Sequence, residues 1–320
     1  YIVYPINPEN ADRGITFNKL IENTITTEKS PLIEKGKELI KKGKPQLAAA
    51  TFNQVLKKNP NDLHAKLGMG LVPLSQGKIN DAIPVFQDIV ASDPSSAVGL
   101  AYSGWLLSLN NKPFESEKYL STFRALYPDN AVTHFLDAWS YRKKTDFAES
   151  EKSYKLAIIA EPRFRDAYFD YATLLKEEQK DNESVKVFVA TTELSPDYID
   201  AYREAGDIYI KLGKYDQAIN QYKKVVANSP TDQKAQLGLC IAYAKSSNFQ
   251  LAIDTCKKVS AKETLAMYYL AEASQNINKK TEAISSYKKF ITAETKRDKK
   301  SALIPVAEKE LTSLSKAKKK

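Results

Sequence analysis

Four residue types are scarce in this chain of 320 residues: it has two Cys, two Met, two His and two Trp. Cys240 and Cys256 are too few for a disulfide framework and lack the paired spacing of a zinc site; they read as small buried thiols. His64 and His134 lie far apart, so no histidine pair suggests a metal ligand or a general acid and base. No run of about 18 apolar residues is present, which removes a membrane-spanning helix from the reading. Glycine is sparse at 11 residues, and no phosphate loop, dinucleotide fingerprint or nucleophile elbow appears. These absences exclude the common enzyme chemistries and leave binding. No cofactor and no metal are expected.

The first residue is Tyr1. The reading expects that a segment upstream was removed, so membrane association through such a segment stays open. The net charge of +9 is uneven: from Asp200 onward there are 23 Lys and Arg against 13 Asp and Glu, and before it 25 against 26. A basic last third raises a second class of function, binding an anionic partner such as nucleic acid or a membrane surface. Its lysine pairs, from Lys223 and Lys224 to Lys299 and Lys300, are spread out as on a solvated face, and no nucleic-acid motif accompanies them.

What the chain has in place of motifs is a period. Pro60, Pro94, Pro128, Pro162, Pro196 and Pro230 follow one another at intervals of 34 residues. Numbering each repeat from the third residue after its proline, position 8 reads Gly36, Gly70, Gly104, Ala138, Ala172, Gly206 and Cys240. Position 20 reads Ala48, Ala82, Ser116, Ser150, Ser184, Ala218 and Ala252. Four residues on stand Phe52, Phe86, Leu120, Tyr154, Phe188, Tyr222 and Cys256. Small residues where two helices meet and large ones filling the space beside them describe a stack of helix hairpins.

A 34-residue period with these positions resembles the tetratricopeptide repeat. The likeness is clearest at residues 199–232, with Ala201, Tyr202, Gly206, Tyr209, Gly213, Lys214, Tyr215, Ala218 and Tyr222. The resemblance implies an all-α fold: a right-handed superhelical solenoid of about eight helix-turn-helix hairpins. The expected division is an extension and capping helix over 1–28, repeats over 29–62, 63–96, 97–130, 131–164, 165–198, 199–232, 233–263 and 264–296, and a capping helix with a basic tail over 297–320. Phe17, Leu20, Ile21 and Ile25 form one capping stripe, and Leu303, Val306, Ala307, Leu311 and Leu314 the other. Pro73, inside a first helix, predicts a kink, and Pro84 falls inside a second helix.

In this family the first helix of each hairpin lines the concave wall, with positions 2, 5, 9 and 12 facing it. Those positions hold His64, Leu67, Leu71 and Leu74 in repeat two, with Trp105, Phe135, Trp139 and Arg142 in repeats three and four. Phe169, Lys176 and Arg203 follow in repeats five and six. An apolar wall rimmed by charge points to a site for a partner protein or peptide, entering as an amphipathic helix or an extended segment. Two other readings stay open: that these side chains are core, and that the chain's own Tyr1, Ile2, Val3, Tyr4 and Ile6 fill the groove. Under the partner reading, replacing Trp105 and Trp139 by Ala weakens binding and leaves the unfolding temperature nearly unchanged.

Chaperone-binding members of the family hold a terminal carboxylate with Lys, Asn and Arg on three repeats. Repeat one offers Ile33 and Lys37 where that motif wants Lys and Asn, so that ligand is not expected. The functional expectation is a non-enzymatic scaffold or adaptor in assembly of a multiprotein complex, with self-association open. Abundant Lys and Asn suggest a bacterial source and the cell envelope, otherwise the cytoplasm.

Overall fold

A computed structural model describes residues 14–316, which form two compact units. The first runs to Lys180 and includes Glu193–Asp197; the second comprises Asp181–Thr192 and everything from Tyr198. The first unit begins with the short α1 (Phe17–Glu22). Nine longer helices follow: α2 (Pro31–Lys41), α3 (Pro45–Lys58), α4 (Leu63–Ser75), α5 (Ile79–Ser92), α6 (Ala97–Leu109), α7 (Pro113–Leu126), α8 (Ala131–Lys143), α9 (Phe147–Ala160) and α10 (Arg165–Glu177). From α2 to α9 they pair as four hairpins, and each second helix also packs on the first helix that follows it. The second unit holds α11 (Asp181–Leu194) apart from its last two residues, then α12 (Ile199–Lys211), α13 (Tyr215–Asn228), α14 (Gln233–Lys245), α15 (Phe249–Val259), α16 (Thr264–Asn276), α17 (Lys280–Arg297) and α18 (Leu303–Lys316). Here α12 to α17 form three hairpins.

The repeat period sets where each helix starts and stops. Asp62, Ser96, Asn130 and Asp232 each precede a first helix and accept a hydrogen bond from the backbone N–H three residues on, satisfying a donor the helix leaves free. The second helices α3, α5, α7, α9, α11 and α13 each end two residues before a proline of the series. Between the two helices of a hairpin the chain turns through one left-handed residue. Gly43, Gly77, Asn111, Thr145, Gln179, Gly213, Ser247 and Asn278 all have φ between 55° and 71°. The next N–H then reaches back five residues, as in Lys44 to the Leu39 carbonyl and Asp146 to the Tyr141 carbonyl, which closes the helix end.

Packing inside a hairpin follows the small and large positions. A Cβ built on Gly70 would run into the Phe86 ring, and one on Gly206 would lie 2.8 Å from Tyr222 Cζ. Ser116 and Ser150 donate to the carbonyls of Gly104 and Ala138 at 2.7 and 2.8 Å, so a small polar residue at position 20 ties the helices and its own buried hydroxyl is paired. Cys240 and Cys256 occupy the same facing positions in the α14–α15 hairpin. They form a disulfide with the Cα atoms 4.9 Å apart, which corrects the expectation of two free thiols: positions 8 and 24 face each other here as Gly70 faces Phe86 and Gly206 faces Tyr222.

Three further features depart from the sequence reading or sharpen it. Helix α4 stays helical through Pro73, which stands only two residues from its end, and α5 carries Pro84 at its sixth residue. Helix α1 does not cover the end of the α2–α3 hairpin as its capping stripe implies; it packs on α6 and α8. At the other end α18 buries Ala307 against Tyr268, Ala271, Tyr287 and Phe290, with Leu303, Leu311 and Leu314 beside them.

Candidate functional site

The first helices of the first unit carry a strap made of the chain's own residues 14–29. It begins beside α10, where Ile15 and Phe164 form a parallel β-bridge: the Ile15 N–H donates to the Arg163 carbonyl at 2.6 Å, and the Arg165 N–H to the Ile15 carbonyl at 3.0 Å. The Phe17 N–H donates to Asp166 Oδ2 at 2.8 Å. Thr16 then caps α1, accepting from the Lys19 N–H, and six helical residues run back across α8 and α6. The strap thus travels against the order of the repeats, from α10 to α2.

Phe17 sits among three rings, with centroids 5.2 Å from Tyr102, 4.9 Å from Trp105 and 5.5 Å from Phe135. Burial and the carboxylates of Asp166 and Glu22 push the Tyr102 hydroxyl well up, so it keeps its proton and donates to Asn18 Oδ1 at 2.7 Å. Ile21 is fully buried. Glu22 meets Lys37 of α2 in a buried ion pair, with Lys29 at 2.7 Å and His64 Nδ1 at 3.8 Å. Burial works against the Glu22 charge, but hydrogen bonds and attraction from Lys29 and Lys37 outweigh it and hold the carboxyl down to about 2. The other nitrogen of His64 contacts the Thr27 carbonyl at 3.2 Å.

Of the predicted wall, Trp105, Phe135 and His64 touch this segment of the same chain. His64, Leu67, Leu71, Leu74, Trp105, Phe135, Trp139 and Phe169 are all buried. Trp105 and Trp139 are each 6% exposed, and the Trp139 indole donates to the buried Asp170 at 2.8 Å. Burial of both rings runs against the expectation that they can be cut to Ala without loss of stability: each large ring contributes to the fold itself, and Trp139 adds its bond to Asp170. Arg142 lies 5.2 Å from the Trp139 ring and pairs with Glu177, and Lys176 is half-buried. Arg203 belongs to the second unit, where it bridges Asp200 and Asp232. Tyr1, Ile2, Val3, Tyr4 and Ile6 lie outside the described residues.

Lys37 and Tyr102 hold the strap and were not among the concave positions chosen from the sequence, whereas Asp166, at position 2 of repeat five, was. Lys37, which stands where the chaperone clamp wants Asn, holds the Glu22 carboxylate. Its signal was an acidic residue, Glu22, in a short apolar stretch ahead of the first repeat. In the second unit Lys257 pairs with Glu282, and Lys245 with Glu272, so part of the basic last third is neutralised locally.

Among the described residues no helix is long and apolar enough to cross a membrane, and no group of three His, Cys, Asp or Glu side chains is placed to hold a metal ion. The chain is similar to the protein CTR9 homolog of Arabidopsis thaliana, 26% identical over 62% of this chain and 19% of the relative. It is also similar to the TPR repeat-containing protein YpiA of Bacillus subtilis, 23% identical over 60% of this chain and 44% of the relative. It spans less than half the length of either. The structure resembles that of Pseudomonas aeruginosa pilF with a TM-score of 0.53 and 12% identity, covering 66% of this chain and 96% of the other. Family models described as tetratricopeptide repeat match residues 33–97 and 265–293, and one described as TPR repeat matches residues 206–247. Those three stretches are tetratricopeptide repeats, and the same 34-residue period runs through the helices between them.

Proposed function

We propose that this chain is a non-enzymatic adaptor whose first-helix face, in the first unit, receives a segment of a partner protein during assembly of a multiprotein complex. At the coarser level, tetratricopeptide repeats are protein-interaction scaffolds. The observation that carries the finer reading is the strap: this face already accepts a chain segment through main-chain pairing, one aromatic anchor and one ion pair. Those are the contacts by which grooves recognise extended and helical peptides in general. Leu67, Leu71, Trp105, Phe135, Trp139 and Phe169 form the wall, and His64, Arg142 and Lys176 its polar margin.

The test is selection of peptides from a random display library on the native chain, washed at low and at high salt. Selected peptides are then measured on two variants: one with Asp166→Asn and Lys176→Glu on the groove margin, the other with Lys288→Glu and Lys299→Glu in the basic last third. Peptides that survive high salt and weaken on the first variant alone support the reading. Peptides that elute with salt and weaken only on the second move the function to an anionic partner, and a library that yields no binder removes the adaptor reading.

A further inference from the structure

We infer that residues 14–28 are a displaceable ligand in cis, and that the segment competing with them presents the same pattern: an extended residue, an aromatic two places on, Asn next to it, and an aliphatic-acidic pair closing one turn of helix. This rests on the reading of the groove as a peptide-binding face and adds what occupies it and what it recognises. The pattern is that of Ile15, Phe17, Asn18, Ile21 and Glu22: Ile15 is paired through its main chain, Phe17, Asn18 and Glu22 each meet a named side chain, and Ile21 is fully buried.

The chemistry of recognition is divided between main chain and side chain. The β-bridge at Ile15 reads an extended backbone and is indifferent to sequence. Asp166 accepts the amide of the anchor residue, and Tyr102 donates to the residue after it. Three rings select a flat aromatic at the centre. Lys37, with His64 nearby, selects a carboxylate at the far end. A docking helix with a basic residue in place of Glu22 would set two cations together in a buried site.

Three observations make the strap a removable occupant and not a fixed part of the core. Its link to the first repeat is exposed at Asn23, Thr24, Thr26, Thr27 and Glu28, so the segment can swing away without breaking a hairpin. Helix α1 has six residues, too few to hold itself together off the wall. Trp105, packed on Phe17, keeps its indole N–H buried with no acceptor. The strap leaves that donor unmatched, and a competitor with an oxygen opposite it gains a bond the strap does not make. Binding from outside is then weakened by the fraction of time the strap is closed.

The experiment uses the full chain and a fluorescent synthetic peptide of residues 14–28, with a scrambled peptide as control. Phe17→Ala weakens the strap in cis and leaves the wall intact, and Glu22→Gln does so more gently in case the first variant loses helix content by circular dichroism. The expected result is that either folded variant binds the peptide at least about tenfold more tightly than the native chain, and that adding Lys37→Ala removes the gain. If neither variant binds the peptide, the strap is a permanent part of the fold and the inference fails. Equal binding by native and variant chains overturns the competition and leaves the groove reading standing. A native dimer that the peptide dissociates would place the strap in a second copy, which also overturns action in cis. Failure of the library selection alongside a tenfold gain here would remove the adaptor reading and keep the displaceable strap.

Discussion

Replacing Glu22 by Gln tests the far end of the strap with little change in shape. The docked carboxyl, lowered from 4.5 to about 2, gains about 3 kcal/mol relative to a hydrated one at about 1.4 kcal/mol per pH unit. Lys29 is partly open to water, and solvent screening of its share brings the figure to about 2 kcal/mol. The sign follows from the lowered value: the stabilisation is complete above pH 4.5 and disappears as pH falls through about 2. Since Gln cannot ionise, the native chain and Glu22→Gln should differ fully above pH 4.5 and converge as pH falls from there through about 2. The assay is hydrogen exchange at the amides of Ile15, Phe17 and Arg165, whose bonds break when the strap lifts. At pH 6 they should exchange roughly 30-fold faster in the variant, the equivalent of about 2 kcal/mol of local opening. Equal protection at pH 6, or a difference that persists unchanged near pH 2.5, would refute the assignment of Glu22 as a charged latch.

Thr145 adopts φ 61°, a conformation that costs a residue with a Cβ about 1–2 kcal/mol. Allowing for the backbone freedom glycine loses on folding, Thr145→Gly should stabilise the chain by roughly 0.5–1 kcal/mol, read as a higher midpoint in urea, whereas Gly213→Thr should lower it. Trp139→Phe keeps a ring and removes the bond to Asp170; it should cost about 1–3 kcal/mol, and Trp139→Ala about 3–5 kcal/mol, both measured by urea unfolding. Replacing Cys240 and Cys256 by Ala opens a short loop between α14 and α15 and should cost about 3 kcal/mol; an unchanged urea midpoint in the double variant would contradict that.

The hairpins were legible because their determinants are local and periodic. A proline every 34 residues, a small residue at position 8 and a large one at position 24 each report a contact within one hairpin or with the next, and the structure places Gly70 against Phe86 and Gly206 against Tyr222 accordingly. The disulfide shows how that reading fell short. Positions 8 and 24 were correctly paired, but contact between two sulfurs was treated as packing when it also permits a bond. The strap was not legible, because nothing in the stretch from Gly14 to Lys29 repeats. Phe17, Leu20, Ile21 and Ile25 do make an apolar stripe, and a stripe says that a face is buried without saying against what. Phe17 could have covered the end of α2 and α3; only the pairing of Ile15 with Phe164, about 150 residues away in sequence, places it over α6 and α8.

That long-range pairing changes how the first unit folds. In a simple repeat array each hairpin touches its neighbours alone, so the ends can fray while the middle stays intact. A strap that bonds to α10 at one end and to α2 at the other makes α2 to α10 gain or lose their last share of order together. It also sets a time order during synthesis: the strap leaves the ribosome first, yet it can seat fully only after Arg163, Arg165 and Asp166 have emerged. Until then Phe17 and the rings of Tyr102, Trp105 and Phe135 can meet without the lock that α10 supplies, so the last bonds of the first unit to close are those of its earliest residues.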